Sequence, residues 1–224
     1  PFGRQLQGYR GGTDWSVAFV KEVLYLGSGG SSIGGTADEY RRRYYLGGEL
    51  FTAIADGGLY AETVCRLPGE NGIIDFSDEF NWPELFETAL GFEYSLERVN
   101  TVRAEYYFHG SGAVEKDNYQ PLGLLSGELP MLGRHYLFLM LGHTFIDYLD
   151  VNLAGLSNLN DGSFVLLPEV SYSLRSNVQL KVSGLLPWGS KHSELDGRFD
   201  FQPGVIPPVD MVKGGVQLEA KVSF

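Results

Sequence analysis

The chain of 224 residues sets 17 Lys and Arg against 28 Asp and Glu, a formal charge of -11, with 43% hydrophobic and 20% charged residues. That length suits one domain, and that charge excludes a nucleic-acid surface as the main business of the protein. The longest apolar run, Tyr136 to Gly142, is far short of the roughly 18–20 residues of a membrane helix, the single Cys65 forms no internal disulfide, and no Cys or His cluster has zinc spacing.

The high Gly and aromatic content, 30 Gly with 14 Phe, 13 Tyr and 3 Trp, points to sheet. Residues 1–13 read as an N-terminal segment without an initiating Met or a basic-then-apolar targeting stretch, the start of a mature chain or of a piece of a longer one. Trp15 to Tyr25 follows as a strand or a short amphipathic helix. Gly27 to Gly35 lacks the Gly-Lys-Ser/Thr ending of a phosphate loop and reads as a flexible connection. After it, Arg41-Arg42-Arg43 offers a solvated rim or a contact for lipopolysaccharide phosphates.

Strands are expected at Tyr44 to Ala55, Leu59 to Leu67, Glu84 to Leu96, Val99 to Phe108, Arg134 to Phe145, Tyr148 to Asn158, Phe164 to Leu174, Val178 to Leu186 and Val216 to Phe224. Five of these alternate strictly. In the second, Leu59, Ala61, Thr63, Cys65 and Leu67 oppose Tyr60, Glu62, Val64 and Arg66; in the last, Val216, Leu218, Ala220, Val222 and Phe224 oppose Gln217, Glu219, Lys221 and Ser223. With Trp15 to Tyr25 the count is ten.

The connections are sorted by length. Asp56-Gly57-Gly58, Glu97-Arg98, Ile146-Asp147 and Arg175-Ser176-Asn177 are tight turns. Gly27 to Arg43, Pro68 to Pro83, His109 to Gly133 and Pro187 to Val212 are long and polar, and only Leu159 to Ser163 on that side is short. A soluble sandwich has no reason for this sorting. A transmembrane barrel does, with apolar residues toward lipid, polar residues toward the lumen, short periplasmic turns and long outer loops. Aromatic girdles fit the two interfaces: Tyr25, Tyr44, Tyr45, Phe86, Tyr106, Phe108, Phe164 and Trp188 at the outer ends, and Trp15, Tyr94, Phe145, Tyr148, Tyr172 and Phe224 at the inner. The expected fold is an all-β, antiparallel, up-and-down transmembrane β-barrel of about ten strands, one domain over 1–224 with its strands and loops in 14–224.

The closing tract from Gly215 to Phe224 resembles the C-terminal signal by which Gram-negative outer-membrane barrels are recognised for assembly, carried by Val216, Leu218, Ala220, Val222 and Phe224. Arg103 to Gly110, Leu132 to Leu137 and Asp161 to Leu174 resemble tracts of a porin-like family of bacterial outer-membrane proteins without an established activity. The likeness implies an outer-membrane location, outer-membrane lipid and the barrel-assembly machinery as partners, and no catalytic residue. Because members of that family look longer, the chain is a whole barrel or the C-terminal part of a larger one, with further strands to come.

On this fold Glu62, Glu87, Glu93, Glu105, Glu169 and Glu219 face the lumen with Arg66, Arg103, Arg175, Lys181 and Lys221. In a narrow barrel they form a plug of ion pairs; in a wide one they line a passage. The loop carboxylates Glu70, Asp75, Asp78, Glu79 and Glu84 match no calcium loop and read as a solvated face; no metal, cofactor or catalytic residue is assigned. The expected function is a porin-like or structural barrel giving a solute passage or a membrane platform. The alternatives are a narrow plugged barrel whose outer loops bind a partner protein, and a rim hydrolase built on His109 or His135 with Ser111 and Glu115 near in sequence. His143 and His192 read as interface or loop residues.

Overall fold

The computed structural model describes residues 2–26, 39–67, 82–96, 100–126, 130–175, 177–196, 198–199, 209–210 and 213–222. Eleven strands form one antiparallel sheet. They are β1 (Phe2–Arg10), β2 (Thr13–Leu26), β3 (Glu39–Ile54), β4 (Gly57–Leu67), β5 (Phe86–Leu96), β6 (Asn100–His109), β7 (His135–Ile146), β8 (Leu149–Asn158), β9 (Ser163–Arg175), β10 (Val178–Trp188) and, after a small two-stranded ladder of β11 (Arg198–Phe199) and β12 (Val209–Asp210), β13 (Gly215–Val222). Through β10 every strand pairs with its neighbour in sequence, and β10 then takes β13 as its other partner.

All ten expected strands are present. The eleventh, β1, lies in the segment read as preceding the strands. Its alternation is masked because Arg4, Gly8 and Arg10 interrupt the row that Leu6 occupies. The overlooked signal is Gly11-Gly12, whose φ angles of 60° and 86° are those a two-residue hairpin turn demands and a side chain resists. The helical alternative for Trp15 to Tyr25 is overturned by the β2–β3 ladder, which runs in register from Thr13 opposite Thr52 to Leu26 opposite Glu39. Helix is confined to one α-helix, α1 (Pro121–Ser126), and two 3-10 turns among the described residues.

The sheet is open: β1 and β13 are its edges, and they do not pair with each other. Because neighbours alternate in direction and the strands number eleven, both edges run the same way, from the end that carries the long connections to the end that carries the tight turns.

Directly paired residues point to the same side of a sheet, so the registers carry one face across all the strands. One face runs through Leu46, Leu50, Leu90, Leu139, Leu153, Val182 and Leu218, each exposed, and no described element packs across it, since extensive contacts run only between neighbouring strands. The buried apolar side chains among the described residues are Leu132, Tyr136, Val165 and Leu195, all at the loop end and on the other side of the sheet. Among the described residues no layer covers the apolar face of this sheet.

Candidate functional site

The opposite face is polar. Register places Glu62, Glu87, Glu93, Arg103, Glu105, Glu169, Lys181, Glu219 and Lys221 on it together, through pairs such as Glu93 with Arg103 and Lys181 with Glu219. Arg66 joins them beside Tyr45. Arg175 sits at the irregular end of the β9–β10 ladder, where the register shifts between Val178 and Gln179. Four carboxylates that sequence reasoning left off this face belong to it: Asp14, opposite Phe51; Glu22, near Tyr45; Glu49, opposite Glu62; and Asp150, which accepts a hydrogen bond of 2.6 Å from Thr144 Oγ1.

With these additions acids outnumber bases, so a near-balanced ladder of ion pairs does not describe the face. Among the described residues two ion pairs form on it, Arg103 with Glu105 at 2.9 Å and Lys181 with Glu169 at 2.6 Å. Arg103 also donates through Nε to Tyr60 Oη at 3.1 Å, and Tyr60 in turn donates to Glu105. Tyr60 lies flat over Gly91, where a Cβ would meet the ring at 1.9 Å. Toward the turn end of β1–β6 the polar face opens into a recess of about 780 Å³ lined by Asp14, Glu49, Tyr60, Glu62, Glu93 and Arg103. Glu49 and Glu62 stand directly opposite each other, and like charges in that position repel.

The loop end of the same face is closed. Here the connection that follows β10 turns back so that Ser193, Glu194 and Leu195 are buried. The Glu194 carboxylate accepts hydrogen bonds from the backbone N–H of Leu132 at 2.9 Å and of Gly133 at 3.3 Å, from Asn158 Nδ2 at 2.7 Å, and from the Tyr136 hydroxyl. Asp161 does the same work one step away: it accepts from Ser163 Oγ at 2.6 Å, Tyr119 Oη at 3.0 Å and the backbone N–H of Glu194 at 2.8 Å. Burial first, and the Asp161 charge second, push the Tyr119 phenol above its ordinary range. Gly112 permits the crossing of the two segments before β7, because a Cβ there would lie 1.8 Å from the Gly133 carbonyl oxygen. Tyr136, Asn158 and Ser163 pair across β7, β8 and β9 in line with Tyr107, on the polar side. Three connections are thus knotted over one end of the polar face, and isolated Asn, Asp and Glu residues in loops gave no sign of it.

The histidines separate. His109 Nε2 lies 2.8 Å from Ser111 Oγ, but its side chain is fully buried and its ring stacks on Tyr107. His135 is on the apolar face, with Nδ1 2.6 Å from Tyr106 Oη. One ring therefore points to each side of the sheet, and they share no site. Glu115 is exposed, its backbone carbonyl accepting from Asn118 N–H at 3.0 Å. His143 lies near the turn end, edge-on to Phe145 with ring centroids 4.2 Å apart.

Aromatic residues gather at both ends of the apolar face. Phe19 stacks on Tyr44 and Phe164 on Trp188 at the loop end, while Phe92 stacks on Tyr94 and Tyr148 meets Tyr172 edge-on at the turn end. Lys21 reaches over the Tyr44 ring at 5.6 Å. Tyr45 does not belong to this belt: it is on the polar face and donates to Glu22 at 3.0 Å. Gly27 to Gly35, Glu70, Asp75, Asp78, Glu79 and Phe224 lie outside the described residues, as do the side chains of Tyr25 and Arg41 to Arg43.

No known protein family, curated protein or solved structure matches the chain. Among the described residues no helix is long and apolar enough to cross a membrane, which says nothing about strands, and no group of three or more His, Cys, Asp or Glu is arranged to hold a metal ion.

Proposed function

We propose that the chain forms the wall of a porin-like barrel in a bacterial outer membrane and that its polar face lines a solute passage. The observation that carries this reading is the division of one sheet into an uncovered apolar face and a charged face. In water, an apolar face spread over eleven strands would demand a second layer. In a bilayer, lipid is that layer, and the aromatic belts at the two ends fall where the interfaces would be. The long connections at one end and short turns at the other support the same orientation, loops outward.

Adjacent substitutions on β10 test it. Val182 is exposed on the apolar face between Val170 and Leu218, whereas Ser183 is on the polar face between Glu169 and Gln217. Val182→Arg should cost about 2–4 kcal/mol where it meets mid-bilayer hydrocarbon and abolish the heat-modifiable folded band in outer-membrane fractions. Ser183→Arg should leave that band intact. Equal behaviour of the two sinks the membrane reading. In planar bilayers the reconstituted protein is expected to conduct ions.

A second reading, a plugged barrel whose loops hold a partner protein, is favoured by the knot around Glu194, which covers the polar face at the loop end. It predicts a correctly assembled protein with no conductance at any salt concentration.

A further inference from the structure

The edges of the sheet carry an inference that rests on the membrane-barrel reading. Each of β1 and β13 has a ladder on one side only, so a second row of backbone N–H and C=O groups on each has no sheet partner among the described residues. Hydrocarbon offers none, and spanning strands therefore occur only in closed sheets.

Closure of this sheet on itself is blocked by parity. With eleven antiparallel strands, β1 and β13 run in the same direction, so joining them makes a parallel seam, a pairing found between no other strands here. A second copy gives no relief. Copies inserted by one route share one orientation in the bilayer, and either edge would again meet a parallel strand. Only an odd number of intervening strands gives both edges antiparallel partners, and it brings the total to the even number that bacterial barrels of this kind have.

We propose that the barrel is completed by an odd number of further antiparallel strands laid between β1 and β13, and that they belong to the same polypeptide, upstream of Phe2. Through β10 each strand pairs with its neighbour in sequence. Phe2 stands at the loop end of β1, so a strand arriving from upstream runs from turn end to loop end, antiparallel to β1. The first strand of an odd set also starts at the turn end and is antiparallel to β13. β13 is exposed along its whole length, with Val216 at 77% and Leu218 at 74%, the exposure of a strand that lacks a neighbour. The added strands alternate apolar and polar, their polar residues level with Gln5 and Gln7 on one side and Gln217 and Glu219 on the other.

The test uses the polypeptide as its own cells make it, in a Cys65→Ser background. Fractionation comes first: a soluble chain overturns the membrane reading and this inference with it. In a membrane-embedded chain, Gln5→Cys combined with Gln217→Cys should give no disulfide on oxidation in intact cells. Each cysteine alone, labelled with a photoactivatable maleimide, should crosslink to peptides that precede Pro1, identified by mass spectrometry. A disulfide within one chain between positions 5 and 217 reveals a parallel seam and overturns the proposal. So does a disulfide-linked dimer of either single variant, which marks copy-to-copy pairing. Crosslinks to a different protein, or a mature polypeptide that begins at Pro1, overturn it equally, while leaving the membrane reading standing.

Discussion

The polar face has two ends, built on the same alternation of residues, and they differ in what covers them. At the turn end of β1–β6, Asp14, Glu49, Glu62 and Glu93 border an open recess of about 780 Å³. At the loop end of β6–β9, Tyr136, Asn158, Ser163 and Glu194 are buried in a network in which each carboxylate oxygen is spoken for. Strand sequence therefore decides which face is polar, but the connections decide where that face is open. The first end leaves its charged groups open to solvent; the second uses its polar groups to hold loops in place.

Removing the Glu194 carboxylate should erase the difference most completely. Glu194→Ala leaves the N–H groups of Leu132 and Gly133, the Asn158 amide and the Tyr136 hydroxyl without their acceptor. Orphaning several buried donors is worth about 3–5 kcal/mol, enough to free residues 189–196 from the polar face. Proteolysis between Gly189 and Asp196 should accelerate roughly 100-fold, and the single-channel conductance of a reconstituted passage should rise. Glu194→Gln, which keeps one acceptor oxygen but sets an amide against N–H donors, should fall between. Unchanged proteolysis in Glu194→Ala breaks the comparison, for the loops would then be held by something else.

Alkaline pH sharpens the same contrast. Because burial and the Asp161 charge raise the Tyr119 pKa above the ordinary tyrosine value, the fold favours the neutral phenol. That contribution is complete below the unfolded value and is lost as pH climbs above it. Protease resistance of residues 110–121 should thus be flat through neutral pH and decline by about pH 11, while the turn end, which does not depend on this phenol, should be unaffected over the same step.

A smaller effect is expected at His109. Ser111→Ala removes the hydroxyl 2.8 Å from His109 Nε2 and leaves a buried imidazole nitrogen without that partner, a loss of about 1–3 kcal/mol. It should lower the heat-modification midpoint and change no esterase activity. A Ser111→Ala variant that stays fully stable but loses a measurable hydrolysis would instead turn this corner of the rim into an active site.

These regions were unequally legible in the sequence. The ten amphipathic strands could be read because one face repeats every second residue, and register then places the expected charges from Glu62 to Lys221 together. β1 escaped because Arg4, Gly8 and Arg10 break its apolar row, and only its Gly11-Gly12 turn betrayed it. Asp14 was missed because the expected strand began at Trp15 whereas β2 begins at Thr13, and Glu49 because its strand does not alternate strictly, so that pairing had to fix its face. The knot could not be read at all. Glu194 meets Tyr136 and Asn158 across separations of 58 and 36 residues, in connections with no periodicity to announce which side chains meet. His109 and His135, at the ends of neighbouring strands, were alternative candidates for one rim site; the one-residue offset of their pairing, Glu87 with His109 and Phe108 with His135, sends them to opposite faces.

The least disruptive test lies at the open end. Glu49 and Glu62 face each other across the β3–β4 ladder, both exposed, and Ser16 Oγ donates to Glu49 at 3.2 Å. Glu62→Gln removes the repulsion and keeps the shape, so it should stabilise the fold slightly, by about 0.2–1 kcal/mol, a gain that fades in high salt. In a conducting barrel the same change takes a negative charge from the passage wall, and the preference for cations over anions should weaken, read as a shift of the reversal potential toward zero in a salt gradient. An equal shift from a carboxylate in the closed end is not expected, since Glu194 is enclosed by its own donors. If Glu62→Gln leaves the reversal potential where it was while Glu194→Ala moves it, the ends have been assigned the wrong way round: the knot, and not the recess, would be the part of the polar face that a solute meets.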